Sequence, residues 1–274
     1  MTVPVTQQRS PFWLLVTSFF QRVVRARYKR SLLGWMWSLI NPLSTVVIYS
    51  LVFGVFLRTA PPETNNGRAE LFAVYLFSGL VAWNLFANVL NGSMDWLASV
   101  MDLRKKVFFP TETAILGGTL ATLVQTMFEI VVLFAIMAAL GNVSWTFLLL
   151  APILLGVASF ALGIGLVVSI LNARFRDVRY LIGIALSLQF FLVPIVYPSD
   201  LLDSPDIDTY GIPARQLVAW NPVSQFVQGA HDVVYFLDVP SLGRWVAMAV
   251  YATVSPTIGL WYFRKRSMEI SEEL

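Results

Sequence analysis

The chain has 274 residues, 57% of them hydrophobic and 13% charged, with a net charge of +3. Soluble globular domains carry about 25% charged residues, so this composition excludes an ordinary soluble domain and points to a membrane protein. The absence of cysteine excludes disulfide frameworks and cysteine-held metal, and a single histidine, His231, excludes a multi-histidine centre.

Ser10-Pro11 predicts a helix start, with Ser at the N-cap and Pro in the first turn. Over about 11–30, Phe12, Val16, Phe19 and Val23 recur on one face, while Ser18, Arg22, Arg25 and Lys29 occupy the other. That pattern belongs to a basic amphipathic helix lying in the membrane interface. The stretch Arg27–Leu43, RYKRSLLGWMWSLINPL, then forms a junction. Arg22, Arg25, Arg27, Lys29 and Arg30 cluster on its N-terminal side, and beyond it an uncharged apolar run continues through Leu57. Because Lys and Arg stay on the cytoplasmic side, the junction reads as a cytosolic membrane surface meeting a first span. Gly34 supplies a turn, Trp35 and Trp37 interfacial aromatics, and Asn41-Pro42 an expected helix break. The apolar run follows the basic cluster and is too long for an h-region, so no cleavable signal is expected.

A bilayer core about 30 Å thick needs roughly 20 apolar helical residues to cross it. Six segments qualify: about 39–57, 71–91, 113–140, 145–171, 180–197 and 244–263. With the N-terminus cytosolic, Arg104–Lys106, Arg174, Arg176, Arg179 and Arg264–Arg266 join the first cations inside. Of the 19 Lys and Arg, only Arg58, Arg68, Arg215 and Arg244 then fall outside. This asymmetry predicts both termini in the cytosol. Residues 217–237 are apolar enough for a seventh span, but Asn221-Pro222, Gln228 and His231-Asp232 interrupt them. A crossing there would also put Arg264–Arg266 outside. Residues 198–242 are therefore expected to be an extracytoplasmic, re-entrant pair of short helices lining or capping a passage, since irregular backbone at membrane depth needs protein or water around it.

Between the second and third spans, Asp95, Asp102 and Arg104–Lys106 surround Trp96, Leu97, Val100, Leu103 and Phe108. This suits either a short amphipathic helix ending at Pro110 or a solvated loop. A second cytosolic segment, Ala173–Tyr180, reads ARFRDVRY. Inside the second span Asn84, Asn88 and Asn91 share a face that runs on to Asp95, and the third span presents Gly118, Thr122, Gln125 and Glu129 on one face. Intramembrane polar groups are costly unless they face protein or water, so these two faces either bond each other or form a polar track. Glu129 has no second buried acid or histidine beside it, which disfavours a proton relay. Gly156, Ser159 and Gly163 in the fourth span, with Gly183 and Ser187 in the fifth, permit close helix approach within the chain or at a homodimer seam. Trp35, Trp37, Trp83, Tyr197, Trp220 and Trp245 fall mostly near predicted membrane boundaries.

The dipeptide Gly-Lys never occurs, so the chain has no P-loop. No nucleophile–base pair, metal cluster or dinucleotide fingerprint stands out; neither catalytic nor metal-ligating residues are expected, nor a nucleic-acid partner. The junction, through Arg25, Arg27, Tyr28, Lys29, Arg30, Gly34, Trp37, Asn41 and Pro42, resembles the signature of type-2 ABC exporter permeases of the polysaccharide/polyol-phosphate export family. These are the membrane subunits of O-antigen, capsule, teichoic-acid and cell-wall galactan exporters. The order of interface helix, spans, cytosolic loop and external hairpin resembles that family too, as does FFLVPIVYP at Phe190–Pro198.

The resemblance implies an all-α membrane protein, one permease domain over 1–274, with six transmembrane helices, an N-terminal interface helix and a re-entrant external hairpin between the last two spans. It implies a homodimer gripped by two copies of an ATP-binding-cassette ATPase that binds ATP and Mg, with no cofactor in this chain. The cargo would be a lipid-pyrophosphate-linked polysaccharide and the location a bacterial inner membrane. Asp95, Trp96, Leu103, Arg104, Lys105 and Phe108 would form a coupling loop (94–110) against the ATPase, with Arg176 and Asp177 as a second contact. Residues 198–242 would be the external gate. Asn84, Asn88, Tyr197 and Trp220 are candidate channel lining, since amides and aromatic faces suit many weak contacts with a sliding sugar chain. Three alternatives stand beside this one. A type-2 permease for a drug or small lipid is disfavoured by the junction signature. A membrane-embedded glycosyl- or phosphotransferase would need clustered acids, whereas Asp95, Asp102 and Asp177 are well separated. A proton-driven transporter would show matched repeats, and none is visible.

Overall fold

The structure, a computed structural model, describes residues 11–28, 36–58, 61–68, 70–104, 109–199 and 214–273. Helices and the turns joining them make up these residues, with no strand among them. Helix α1 is Pro11–Tyr28. Helix α2, Trp37–Tyr49, continues as a π-helical stretch, Ser50–Phe56. The long helices α3 (Phe72–Arg104) and α4 (Glu112–Ala139) follow, and a 3₁₀ turn at Trp145–Leu149 leads into α5 (Leu150–Arg174). Then come α6 (Val178–Leu192), α7 (Ala214–Trp220), and α8 (Pro222–His231), which passes into a π-helical Asp232–Phe236, and finally α9 (Leu242–Glu273).

Among the described residues, four helices are long and apolar enough to cross a bilayer: Phe72–Met101, Glu112–Ala139, Trp145–Arg174 and Leu242–Ser267. Pro42–Phe56 and Val178–Leu192 are shorter apolar helices. The chain is thus a multi-pass membrane protein. The segment expected over 180–197 stops early because Pro194 disfavours helical backbone in the residue before it, and Val193 is extended with ψ 134°. The 15 residues of α6 rise about 22 Å. The expected break at Asn41-Pro42 does not occur: α2 runs through Pro42. In an apolar run with no other way to satisfy its backbone, continuing the helix costs less than stopping it.

The reading of 94–110 as a separate short helix also needs correction, since α3 continues unbroken to Arg104. Its buried stripe of Leu85, Val89, Leu90, Ser93, Leu97 and Val100 keeps helical spacing through the expected boundary, with no breaker before Pro110. Lys105, Lys106 and Phe108 lie outside the described residues, as do Lys29, Arg30, Gly34 and Trp35.

Helix α3 is the centre of the bundle, packed by α4, α5 and α8, and α5 in turn carries α9. Pro256 inside α9 has no N–H to give the carbonyl four residues back, Ala252. Ser159 of α5 supplies the missing donor, with its Oγ 2.7 Å from that carbonyl. Ser255 Oγ returns the favour to Phe160 O at 2.8 Å. Gly163 makes the approach possible: a Cβ there would lie 2.2 Å from the Ser255 carbonyl carbon.

Candidate functional site

One end of the bundle gathers the segments that the sequence predicts to be cytosolic. Val16 and Phe19 of α1 are buried, and Gly117 of α4 receives that helix so closely that a Cβ would come within 2.8 Å of the Val16 carbonyl. Phe19 stacks on Phe109 with ring centroids 5.8 Å apart. The neighbouring Gly118 takes the Trp96 indole, which would lie 2.1 Å from an added Cβ, and Gly92 forms the other wall of the slot. Trp96 therefore packs α3 on α4. Asp95, beside it, points outward and pairs with Arg179 in the first turn of α6, so the structure joins the two segments expected to be cytosolic. Glu112, at the start of α4, is 3.4 Å from Arg264 of α9. A cavity of about 420 Å³ opens between α1 and α3, lined by Arg22, Val23, Asp95 and Ser99.

Those of the other expected coupling residues that are described are scattered around this end. Leu103 is exposed, and Arg176 and Asp177 sit on the exposed turn before α6. Arg104 closes α3, and Arg27 and Tyr28 close α1, with only their backbone described. Arg25 and Trp37 are exposed, Pro42 is buried, and of Asn41 the backbone alone is described.

The three span-two amides separate. Asn84, half-buried, lies beside Glu129 of α4, which is 4% exposed; Gln125 Oε1 and Glu129 Oε2 are buried without a hydrogen-bond partner. Asn88 is exposed. Asn91 donates to Ala87 O at 3.0 Å and lines an open groove of about 480 Å³ between α2, α3 and α6, with Tyr49, Trp83, Ser187 and Phe190. Trp83 and Phe190 meet edge to face at 5.6 Å. Gly156 accommodates Phe226 of α8, whereas Gly183 meets nothing within 4 Å. Small residues of α5 thus serve internal packing, and that of α6 faces open space.

At the opposite end, His231 seats α8. Its Nδ1 lies 2.9 Å from Ser78 Oγ, its Nε2 3.2 Å from Pro194 O, and its ring stacks on Tyr75 at 4.1 Å. Gly79 leaves room for it, since a Cβ would come within 2.6 Å of the ring. Burial pushes the imidazole down to about 3, with the Arg244 charge adding to the shift and the bond to Pro194 O opposing it. His231 is therefore a neutral clamp. The sequence marked it as an interruption of an apolar run; its partners Ser78 and Gly79, an ordinary small pair in a span, gave no signal. Tyr197 donates to Leu192 O at 3.0 Å and its carbonyl accepts from Tyr75 Oη. Trp220 is 78% exposed. Much of the expected gate, 200–213, lies outside the described residues.

The sequence model of the ABC-2 type transporter family matches residues 15–230. The O-antigen export system permease protein RfbA of Myxococcus xanthus is 25% identical over 262 residues, 95% of each chain. The protein of the same name from Klebsiella pneumoniae is 27% identical over 255 residues, 92% of this chain and 91% of the relative. The polysialic acid transport protein KpsM of Escherichia coli is 24% identical over 267 residues, 92% and 93% of the two chains.

Proposed function

The chain belongs to the ABC-2 type transporter family, and from that premise we propose that it is the transmembrane subunit of an ATP-driven exporter that moves a lipid-linked polysaccharide out of the cytosol. The observation that carries this is the likeness, over more than nine-tenths of the chain, to permeases named for O-antigen export and polysialic acid transport. Lacking a P-loop, the subunit itself is no ATPase; two copies of a cassette protein hold ATP and Mg and drive a homodimer of this chain. The cargo is a lipid-pyrophosphate-linked glycan, and the membrane is the bacterial inner membrane.

The chain crosses six times with both termini cytosolic, the shorter α2 and α6 completing the count and 198–242 returning to the outer side as a gate. Several features support that arrangement. The Asp95–Arg179 pair ties α3 to α6 and the Glu112–Arg264 pair ties α4 to α9 at the same end of the bundle, as a platform for the ATPase requires. The groove between α2, α3 and α6 joins one amide, Asn91, to aromatic rings along an unpacked helix face, which suits a wall completed by a second copy. Asn88, Tyr197 and Trp220 extend that wall; Asn84 serves packing. Deleting the chain in its native host tests the function. Polymer should disappear from the cell surface and accumulate in the cytosol, and return with the plasmid-borne gene. Undiminished surface polymer in the deletion strain would refute the assignment.

A further inference from the structure

A cavity outside the groove and the cytosolic platform opens between α3, α8 and the first turn of α9. We propose that this cavity is a saccharide site that holds one sugar residue of the emerging chain by its hydroxyl groups. The identification of the sugar's source rests on the exporter function proposed above.

The cavity encloses about 280 Å³, at the lower limit of the roughly 300–1,000 Å³ typical of small-molecule sites, which is room for a single ring. Gln228, Asp232, Asp238 and Arg244 line it with Asn65, Phe236 forms an aromatic wall, and the stacked Tyr75 and His231 rings close it from behind. The polar groups form a connected set. Arg244 pairs with Asp232 and donates to Gln228 Oε1 at 2.8 Å, while its Nε is buried with no acceptor. Burial raises the Asp232 carboxyl, and Arg244 opposes that shift. Two carboxylates beside one already paired guanidinium repel a phosphate or sulfate. Among the described residues no group of three metal-type ligands occurs, so a cation is not served either. Carboxylate and amide oxygens accept from hydroxyls, the amide and guanidinium N–H groups donate to them, and the Phe236 ring covers the C–H face of a sugar. A neutral polyhydroxylated ligand satisfies that whole set.

The backbone here is also bent to a purpose. The π-helical turn Asp232–Phe236 ends in Leu237, a non-glycine residue at φ 57°. The reversal brings the Asp238 N–H onto Asp232 O at 2.8 Å and both carboxylates onto one cavity. π-turns and left-handed non-glycine residues are costly and concentrate at functional sites. The cavity lies at the end of α3 opposite Asp95, hence on the side from which the chain would leave.

Two measurements test this. In the first, the complete permease–ATPase complex in nanodiscs is titrated with methyl mannoside, methyl glucoside and methyl galactoside by saturation-transfer NMR. Saturable transfer from at least one glycoside in the millimolar range is expected, weakened at least fivefold in the double variant Asn65→Ala, Asp238→Ala. Both side chains are exposed, and an unchanged melting temperature verifies folding. No saturable transfer, equal binding by the variant, or displacement of the glycoside by inorganic phosphate would overturn the site. In the second, a photo-crosslinking benzoylphenylalanine replaces Asn65 in cells making the polymer. A glycan-staining ladder on the permease is expected there and not in cells unable to make the polymer. No ladder, or one in both strains, refutes the exported chain as ligand. Surface polymer, measured in the same cells, separates the two failures. Normal export without binding or adducts sinks the cavity alone, whereas surface polymer that survives deletion of the gene sinks the exporter function while glycoside binding still reads the cavity.

Discussion

Trp96 and Leu103 lie two turns apart on α3, and their surroundings divide the work expected of both. Trp96 fills the slot made by Gly92 and Gly118, so Trp96→Ala should leave a cavity costing about 3–5 kcal/mol and lower the melting temperature and membrane level of the permease. Leu103 is 44% exposed. Leu103→Asp should leave folding intact and reduce co-purification with the ATPase, since it sets an unpaired charge in the contact. A thermal-unfolding curve and a pull-down on each variant check both statements; equal melting-point losses would show that Leu103 too is buried packing. Periodicity put the two residues in one amphipathic segment because it reports a face, not what lies opposite. The same limit explains the amides. Asn84, Asn88 and Asn91 were equivalent in the sequence, and only the neighbouring helix assigns Asn84 to Glu129 and Asn91 to the open groove. Replacing exposed Asn88 by Ala should lower polymer export at normal permease level and basal ATPase, and unaltered export would remove it from the passage wall.

Among elements, the α5–α9 pair shows how a membrane helix tolerates proline. The carbonyl freed by Pro256 is bonded by Ser159 across the interface, in a medium where no water replaces the lost partner. Ser159→Ala should therefore cost about 1 kcal/mol, a modest fall in melting temperature. Gly163→Leu should prevent the pair from closing, because a Cβ already lies 2.2 Å from the α9 backbone. A Gly163→Leu protein that melts like the parent would contradict this contact. The small residues of α5 were visible in the sequence, and so was the buried face of α1, whereas Pro256 passed as part of an apolar span. Their mutual register was not, since it depends on which helices become neighbours. Helix ends failed for a related reason: the α3 stripe continues past the expected loop, while Pro194 cuts α6 short of the apolar run around it.

For the molecule as a whole, charge placement carries the topology. Asp95–Arg179 and Glu112–Arg264 tie one end of the bundle, and Arg244–Asp232 lies at the other. The first set belongs to segments rich in Lys and Arg, which resist translocation, so that end is the one expected in the cytosol. The cysteine-free chain makes this directly measurable. Ser204→Cys, between α6 and α7 in sequence and expected outside, should react with a membrane-impermeant maleimide on intact cells. Ser267→Cys, in the last turns of α9, should react only after the membrane is opened. An odd number of further crossings between these positions would leave both on one side, and a reversed bundle would exchange the two results. Equal labelling of both cysteines on intact cells therefore refutes the re-entrant path of 198–242, and labelling of Ser267→Cys alone refutes the cytosolic placement of the C-terminus.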